Sequence, residues 1–160
     1  MDIVERTFSH GSLKCPAEWW DSSTIVFIEP ATKPDRVGPA LVKTTTFRAN
    51  ICVSVRRPRD DKSLDIIAAD FRRQLLEGNP GSHVEDESDF VFDNQMIGKA
   101  IQIRRETQGI HLVQHFVNLK VGKTVVVITT TAERAKWKAK GEHLLACVRS
   151  FVPDPSVDLR

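Results

Sequence analysis

The sequence predicts an α+β fold in a single domain, residues 1–160: an antiparallel β-sheet meander with two main helices packed on it. Three observations carry this. Apolar side chains alternate with polar ones in several short runs, the two-residue period of a strand. Two longer runs place their apolar residues at helical spacing instead. The strands after the first of those helical runs are separated by turns of a few residues, too short for the crossovers that parallel strands require. The resulting order, β-β-β-α-β-β-β-β-α, is that of an antiparallel sheet with helices laid on it.

The elements follow in order, with the folded core expected over about residues 7–153. A short strand is expected around Thr7 to Leu13, leading through Cys15-Pro16 to Trp19-Trp20. A second, STIVFIEP, is stopped by Pro30, which has no N–H to give a ladder. Ala31 to Arg48 holds Pro34, Gly38 and Pro39 and shows no period, so it reads as a long loop of the mobile or functional kind. Asn50 to Arg57 alternates Ile51, Val53 and Val55 with Cys52, Ser54 and Arg56 until Pro58 ends it. Ser63 is a suitable N-cap for a helix that sets Leu64, Ile67, Ala68, Phe71 and Leu75 on one stripe and stops at Gly78. Ile66, Ala69 and Leu76 widen that stripe beyond what one sheet contact needs. His83 to Phe92, Gln95 to Glu106 and a hairpin from His111 to Thr131 supply four more strands, turning at Asp93-Asn94, Gln108-Gly109 and Gly122. Thr130 with Glu133 three residues on fits a capping box, opening a second helix on Trp137, Leu144, Leu145, Val148 and Phe151 that Pro153 ends. The tail, 154–160, is expected to be loose.

Composition narrows the function. With 160 residues and 41% apolar content the chain can bury a real core. Lys plus Arg number 23 against 21 Asp plus Glu, too even a balance to hold nucleic acid or an anionic membrane. The one basic cluster, Val55 to Arg59, runs straight into Asp60 and Asp61 and reads as a solvated strand end. The first residues carry acids where a secretory leader needs a basic segment, and no run approaches the roughly 20 apolar residues that span a bilayer. A soluble cytoplasmic protein without membrane insertion is the expectation. Cys15, Cys52 and Cys147 are odd in number, widely spaced and form no CxxC pair, which suits buried thiols in a reducing compartment.

No pattern for catalysis stands out. His111 and His115 would align as metal ligands on a helix, but four residues apart on a strand they are about 13 Å apart, too far for one ion. His10, His83 and His143 are isolated. There is no phosphate loop or nucleophile elbow. Glu85, Asp86, Glu87 and Asp89 crowd one strand, where they would titrate as a solvated edge. No enzyme activity, metal or cofactor is expected.

The unusual feature is apolar surface on both sides of the strands. In the hairpin, Val113, Val117 and Leu119 point one way while Leu112 and Phe116 point the other. Val125 and Val127 likewise alternate with Val126 and Ile128, and Thr24, Val26 and Ile28 with Ile25 and Phe27. A small antiparallel sheet normally keeps one face wet. Either the protein's own two helices cover the two faces, or an apolar face is left open for a partner. Gln114, in mid-strand, brings a polar group that must find a hydrogen bond if it is covered.

The stretch LKCPAEWWDSSTIVFIEP, the strand ICVS and above all HLVQHFVNLKVGKTVVVITTTA, followed by a tryptophan-bearing helix and FVP, resemble the Eag chaperones of type VI secretion systems. These belong to a DcrB-related group with a Mog1/PsbP-like fold. The resemblance spans roughly Phe8 to Pro153. It implies a homodimer of cytoplasmic protomers whose concave apolar faces hold the hydrophobic N-terminal helices of a secreted effector and support its loading onto the spike. Matched by position, it implies a groove formed by Thr24, Val26, Cys52, Ile67, Phe71, Leu112 and Gln114, with Thr24 standing where an aliphatic residue is usual. The alternative within the same fold is a Mog1- or DcrB-like adaptor or structural protein that binds a folded partner.

Overall fold

The structure, a computed structural model, describes residues 3–8, 11–16, 24–29 and 47–154. The chain order is β1 (Ile3–Phe8), β2 (Gly11–Pro16), β3 (Thr24–Ile28), β4 (Asn50–Arg56), α1 (Leu64–Gly78), β5 (His83–Val91), β6 (Ile97–Thr107), β7 (Ile110–Val121), β8 (Thr124–Glu133) and α2 (Arg134–Arg149). Six strands form one antiparallel sheet in the order β3-β4-β8-β7-β6-β5. The fold is α+β, an open antiparallel sheet with two helices. Where one strand was expected around Thr7 to Leu13, β1 and β2 pair as a separate two-stranded antiparallel unit. Most of the expected 31–48 loop and the tail after Asp154 lie outside the described residues.

Register decides which side chains share a face. Across the centre of the sheet, Val117 on β7 faces Ile128 on β8, which faces Val53 on β4. These belong to the face covered by α2, where Phe90, Phe92, Ala100, Val117, Leu119, Val126, Ile128 and Val148 pack together with Leu145 and Phe151 beside them. On the opposite face, Ile101, Ile103 and Phe116 are covered by Phe71 and Leu75 of α1. Each helix therefore explains one half of the doubled apolar pattern.

Local chemistry sets the ends of these elements. Ser63 caps α1 through its side-chain oxygen, which accepts from the Ile66 amide at 3.4 Å, and Asp65 sits in the first turn where the helix dipole favours an acid. Gln108 and Gly109 both adopt positive φ, 51° and 77°, the paired left-handed conformation that joins β6 to β7 in a two-residue hairpin. The expected capping box at α2 does not form. Thr130 lies inside β8 and Glu133 is the N-cap, with no side-chain capping bond. Ile128, Thr130 and Ala132 continue one buried row toward α2, so the strand's period runs past the point where the motif would have started a helix. Thiol burial also departs from expectation, since Cys147 is exposed on α2 and Cys52 only half-buried.

Candidate functional site

The α1 face carries the expected groove residues. Because partners in an antiparallel ladder share a face, three rows can be followed across the sheet. Thr24, Ser54, Val127 and Asn118 form one, Val26, Cys52, Thr129 and Phe116 the next, and Ile28, Asn50, Thr131 and Gln114 the third. Thr24, Val26, Cys52 and Gln114 thus fall on a single face, and Ile67 and Phe71 come to it from the helix above. Leu112 belongs to the same face by alternation but is only 2% exposed. Its role is interior packing rather than surface contact, a correction to the groove assignment.

α1 covers only the β6–β7 side. Toward β3 the face opens: Val26 is 48% exposed and Ile28 about as much, while Cys52, Ser54 and Thr129 are half-buried. The edge strand exposes its other side as well, with Phe27 at 62%. Among the described residues, this strand holds four of the exposed large apolar side chains, Ile25 to Ile28. Its end is tied to α2 by an ion pair between Glu29 and Lys140, whose hydrogen bond holds the Glu29 carboxyl below its ordinary value.

The open area is less apolar than the sequence suggested. Thr24, Ser54 and Thr129 put three hydroxyls beside Val26 and Ile28, and further along the face Gln114 donates to Oγ1 of the buried Thr131 at 3.2 Å. That bond satisfies the mid-strand glutamine inside the fold. Ser54, Thr129 and Thr131 were missed at the sequence level because their face is set by β4 pairing with β8, a contact no local pattern announces. Their alternation with Val53, Ile128 and Thr130 was the available signal.

Between α1 and strands β4 and β8 lies a cleft of about 370 Å³. Ile67 and Phe71 form its helical wall, Val125, Val127 and Asn118 line the sheet side, and Arg56 to Asp60 the rim. The Arg56 guanidinium stands 6.0 Å from the centre of the Phe71 ring, which itself packs on Phe116 at 5.4 Å. At the rim Lys62 binds Asp70 at 2.9 Å, and this bond, with that from Arg73, holds the Asp70 carboxyl below its usual range. Nothing here resembles a catalytic dyad or triad; the arrangement can sort partners by shape, apolar contact and charge.

On the other face His115 is 6% exposed beneath α2, 5.6 Å from the Phe90 ring. Burial pushes its imidazole down to about 4, against a partial upward pull from Asp86 and with a further downward push from Arg149. No group of three or more His, Cys, Asp or Glu side chains suited to a metal occurs among the described residues. Nor does any helix among them reach the length and apolarity needed to cross a membrane.

No protein-family model matches the chain, and no curated protein matches it in sequence. Solved structures do match in fold. The protein of unknown function PA94 from Pseudomonas aeruginosa superposes with a TM-score of 0.72 at 17% identity, covering 96% of this chain and 98% of its own. LpqN of Mycobacterium tuberculosis, involved in cell envelope biogenesis, gives 0.50 at 13% identity over 92% of this chain and 88% of its own. Cyanobacterial PsbP from Synechocystis sp. PCC 6803 gives 0.50 at 9% identity over 95% and 92%. The chain is similar to all three in architecture, with the PsbP-type sheet as the shared element.

Proposed function

We propose that this protein is a cytoplasmic chaperone that shields the hydrophobic N-terminal segments of a type VI secretion effector, using the open part of the α1 face as a groove and acting as a homodimer. The observation that carries the reading is positional. Four sheet residues picked from the sequence as groove-lining, Thr24, Val26, Cys52 and Gln114, share one face in register, beside a helix that brings Ile67 and Phe71. The edge of that face is apolar and exposed.

Physical chemistry supports the match of surface to occupant. A transmembrane-like helix in water gains about 25 cal/mol for each Å² of apolar area it loses to contact. The hydroxyls of Thr24, Ser54 and Thr129 offer donors and acceptors to the Ser, Thr and small residues by which such helices pack on one another. A face of this mixed kind favours a helix with a polar stripe over a uniformly greasy one.

The test is co-expression with the N-terminal hydrophobic region of an effector encoded beside this gene, followed by native mass determination. A soluble complex of two protomers with one effector segment is the expected result. An insoluble effector segment, with the protein recovered alone, would reject the chaperone reading and leave the adaptor role within the same fold.

A further inference from the structure

At the end of the sheet where α1 stops and α2 starts, two guanidiniums lack a full counter-charge. Arg105 on β6, Leu112 on β7 and Glu133 on β8 stand in one row, and Arg134 follows as the first residue of α2. Arg105 is half-buried and donates to Oδ1 of Asn79, the C-cap of α1, at 2.7 Å. That partner is a neutral amide. The carboxyl end of α1 adds about half an elementary negative charge, so Arg105 is only partly matched, whereas charges withdrawn from water are as a rule paired. Arg134 is exposed, and its side chain has no hydrogen bond or ion pair among the described residues. Arg104 beside them is matched by Glu85.

Both uncommitted arginines line a cleft of about 330 Å³, with Leu112, His83, His111 and Glu106. Glu106 lies 3.7 Å from His111. Two guanidiniums against one carboxylate leave a single positive charge, which one further carboxylate closes and a phosphate dianion would overshoot. A second cleft, of about 580 Å³, shares His111 and Arg134 and continues past Gly109, Ile110 and Ala135. The carboxylate of Glu133 at its side is taken by Lys136 at 3.2 Å. A methyl group built on Gly109 would meet nothing within 4 Å, so the backbone there stands open to an approaching chain. A cationic cleft therefore leads into one walled by backbone and small or apolar side chains.

We propose that these joined clefts bind the C-terminal end of a peptide chain. The terminal carboxylate is held between Arg105 and Arg134, as carboxylates are held by arginine forks, and the last side chain and its amide lie along Gly109, Ile110 and Ala135. The site lies one row beyond the Gln114–Thr131 row. With Leu112 assigned to the interior it shares no residue with the groove, and the proposal does not depend on the chaperone reading.

The experiment titrates the full chain with the peptide acetyl-Ala-Ala-Leu and follows backbone amide shifts by NMR. The same peptide as its C-terminal amide removes the charge, and acetate supplies the charge without the chain. Expected are saturable shifts centred on the β6–β7 turn and the start of α2, with the amide about tenfold weaker because it loses the charge-assisted bonds, and acetate weaker than the peptide acid. Arg134→Gln, at an exposed position, folds normally and binds the acid about threefold more weakly, while Arg105→Gln weakens it further. Equal affinity of acid and amide would overturn the proposal, as would acetate binding as tightly as the peptide, shifts confined to another surface, or the lack of any saturable binding. So would an unchanged affinity in Arg134→Gln, even if Arg105→Gln failed to fold.

Discussion

Protonating His115 destabilises the fold, and the structure fixes the size and direction of the effect. The imidazole is pushed down to about 4 from an ordinary 6.5 because it is buried under α2 against Phe90, with Asp86 of β5 and Arg149 of α2 as the charges acting on it. Above pH 6.5 the side chain is neutral in both folded and unfolded chains. Between 6.5 and 4 the unfolded chain takes up a proton that the folded one refuses, so stability falls as pH falls. Each pKa unit is worth about 1.4 kcal/mol. The loss is therefore about 2 kcal/mol by pH 5 and about 3 kcal/mol at pH 4. The lowered carboxyls of Glu29, Asp61 and Asp70 titrate below this upper window. Urea unfolding at pH 7, 6 and 5, followed by circular dichroism, measures the slope, and His115→Leu removes the histidine's share of it. Parallel pH dependence in the wild type and the variant would refute the reasoning.

Three further outcomes are expected. Val26→Asp leaves urea stability within about 0.5 kcal/mol, because the site is half exposed, yet abolishes effector co-purification; Leu112→Asp, at a buried position, costs several kcal/mol or prevents folding, so the two separate surface from interior. Gly98→Ala loses about 1–3 kcal/mol by the same urea assay, since its methyl would sit 2.8 Å from Val117 Cγ1 and 2.9 Å from the Asn118 carbonyl oxygen. Phe71→Ala removes the ring packed on Phe116 and costs about 2 kcal/mol, less than a fully buried phenylalanine, while the resonances of Arg56 shift with the loss of the ring beneath it.

Much of this architecture was legible in the sequence, for reasons that differ by element. Ser63 and the Leu64–Leu75 stripe located α1 because capping and helical period agree there. The four strands of the meander were legible because each follows its neighbour through a short turn. The doubled pattern at Val125 to Ile128 left two readings open, both faces covered by the protein's own helices or one face left to a partner; a helix packs on each face, while the β3 end of the α1 face stays exposed. Pairing of β4 with β8 lies beyond any local signal, and with it went the placing of the Ser54 and Thr129 hydroxyls on one face. Thr130 and Glu133 misled because a capping motif is four residues long, whereas the competing strand period is reinforced across the whole of β8. Leu112 was placed on its correct face, yet alternation says nothing of what lies above a residue.

The strand order carries a consequence for how the chain acquires its shape. β5 to β8 join neighbours in sequence, whereas Asn50 of β4 finds Thr131 of β8 about 80 residues further on. Local pairings close early, and distant ones wait for a long segment to be ordered first. During synthesis β3 and β4 therefore leave the ribosome well before the strand that will hold them exists. For that interval Ile25 to Ile28 and Ile51 to Val55 stand with neither sheet nor helix against them, so a nascent chain stalled before β8 presents to its surroundings the kind of apolar segment that invites aggregation.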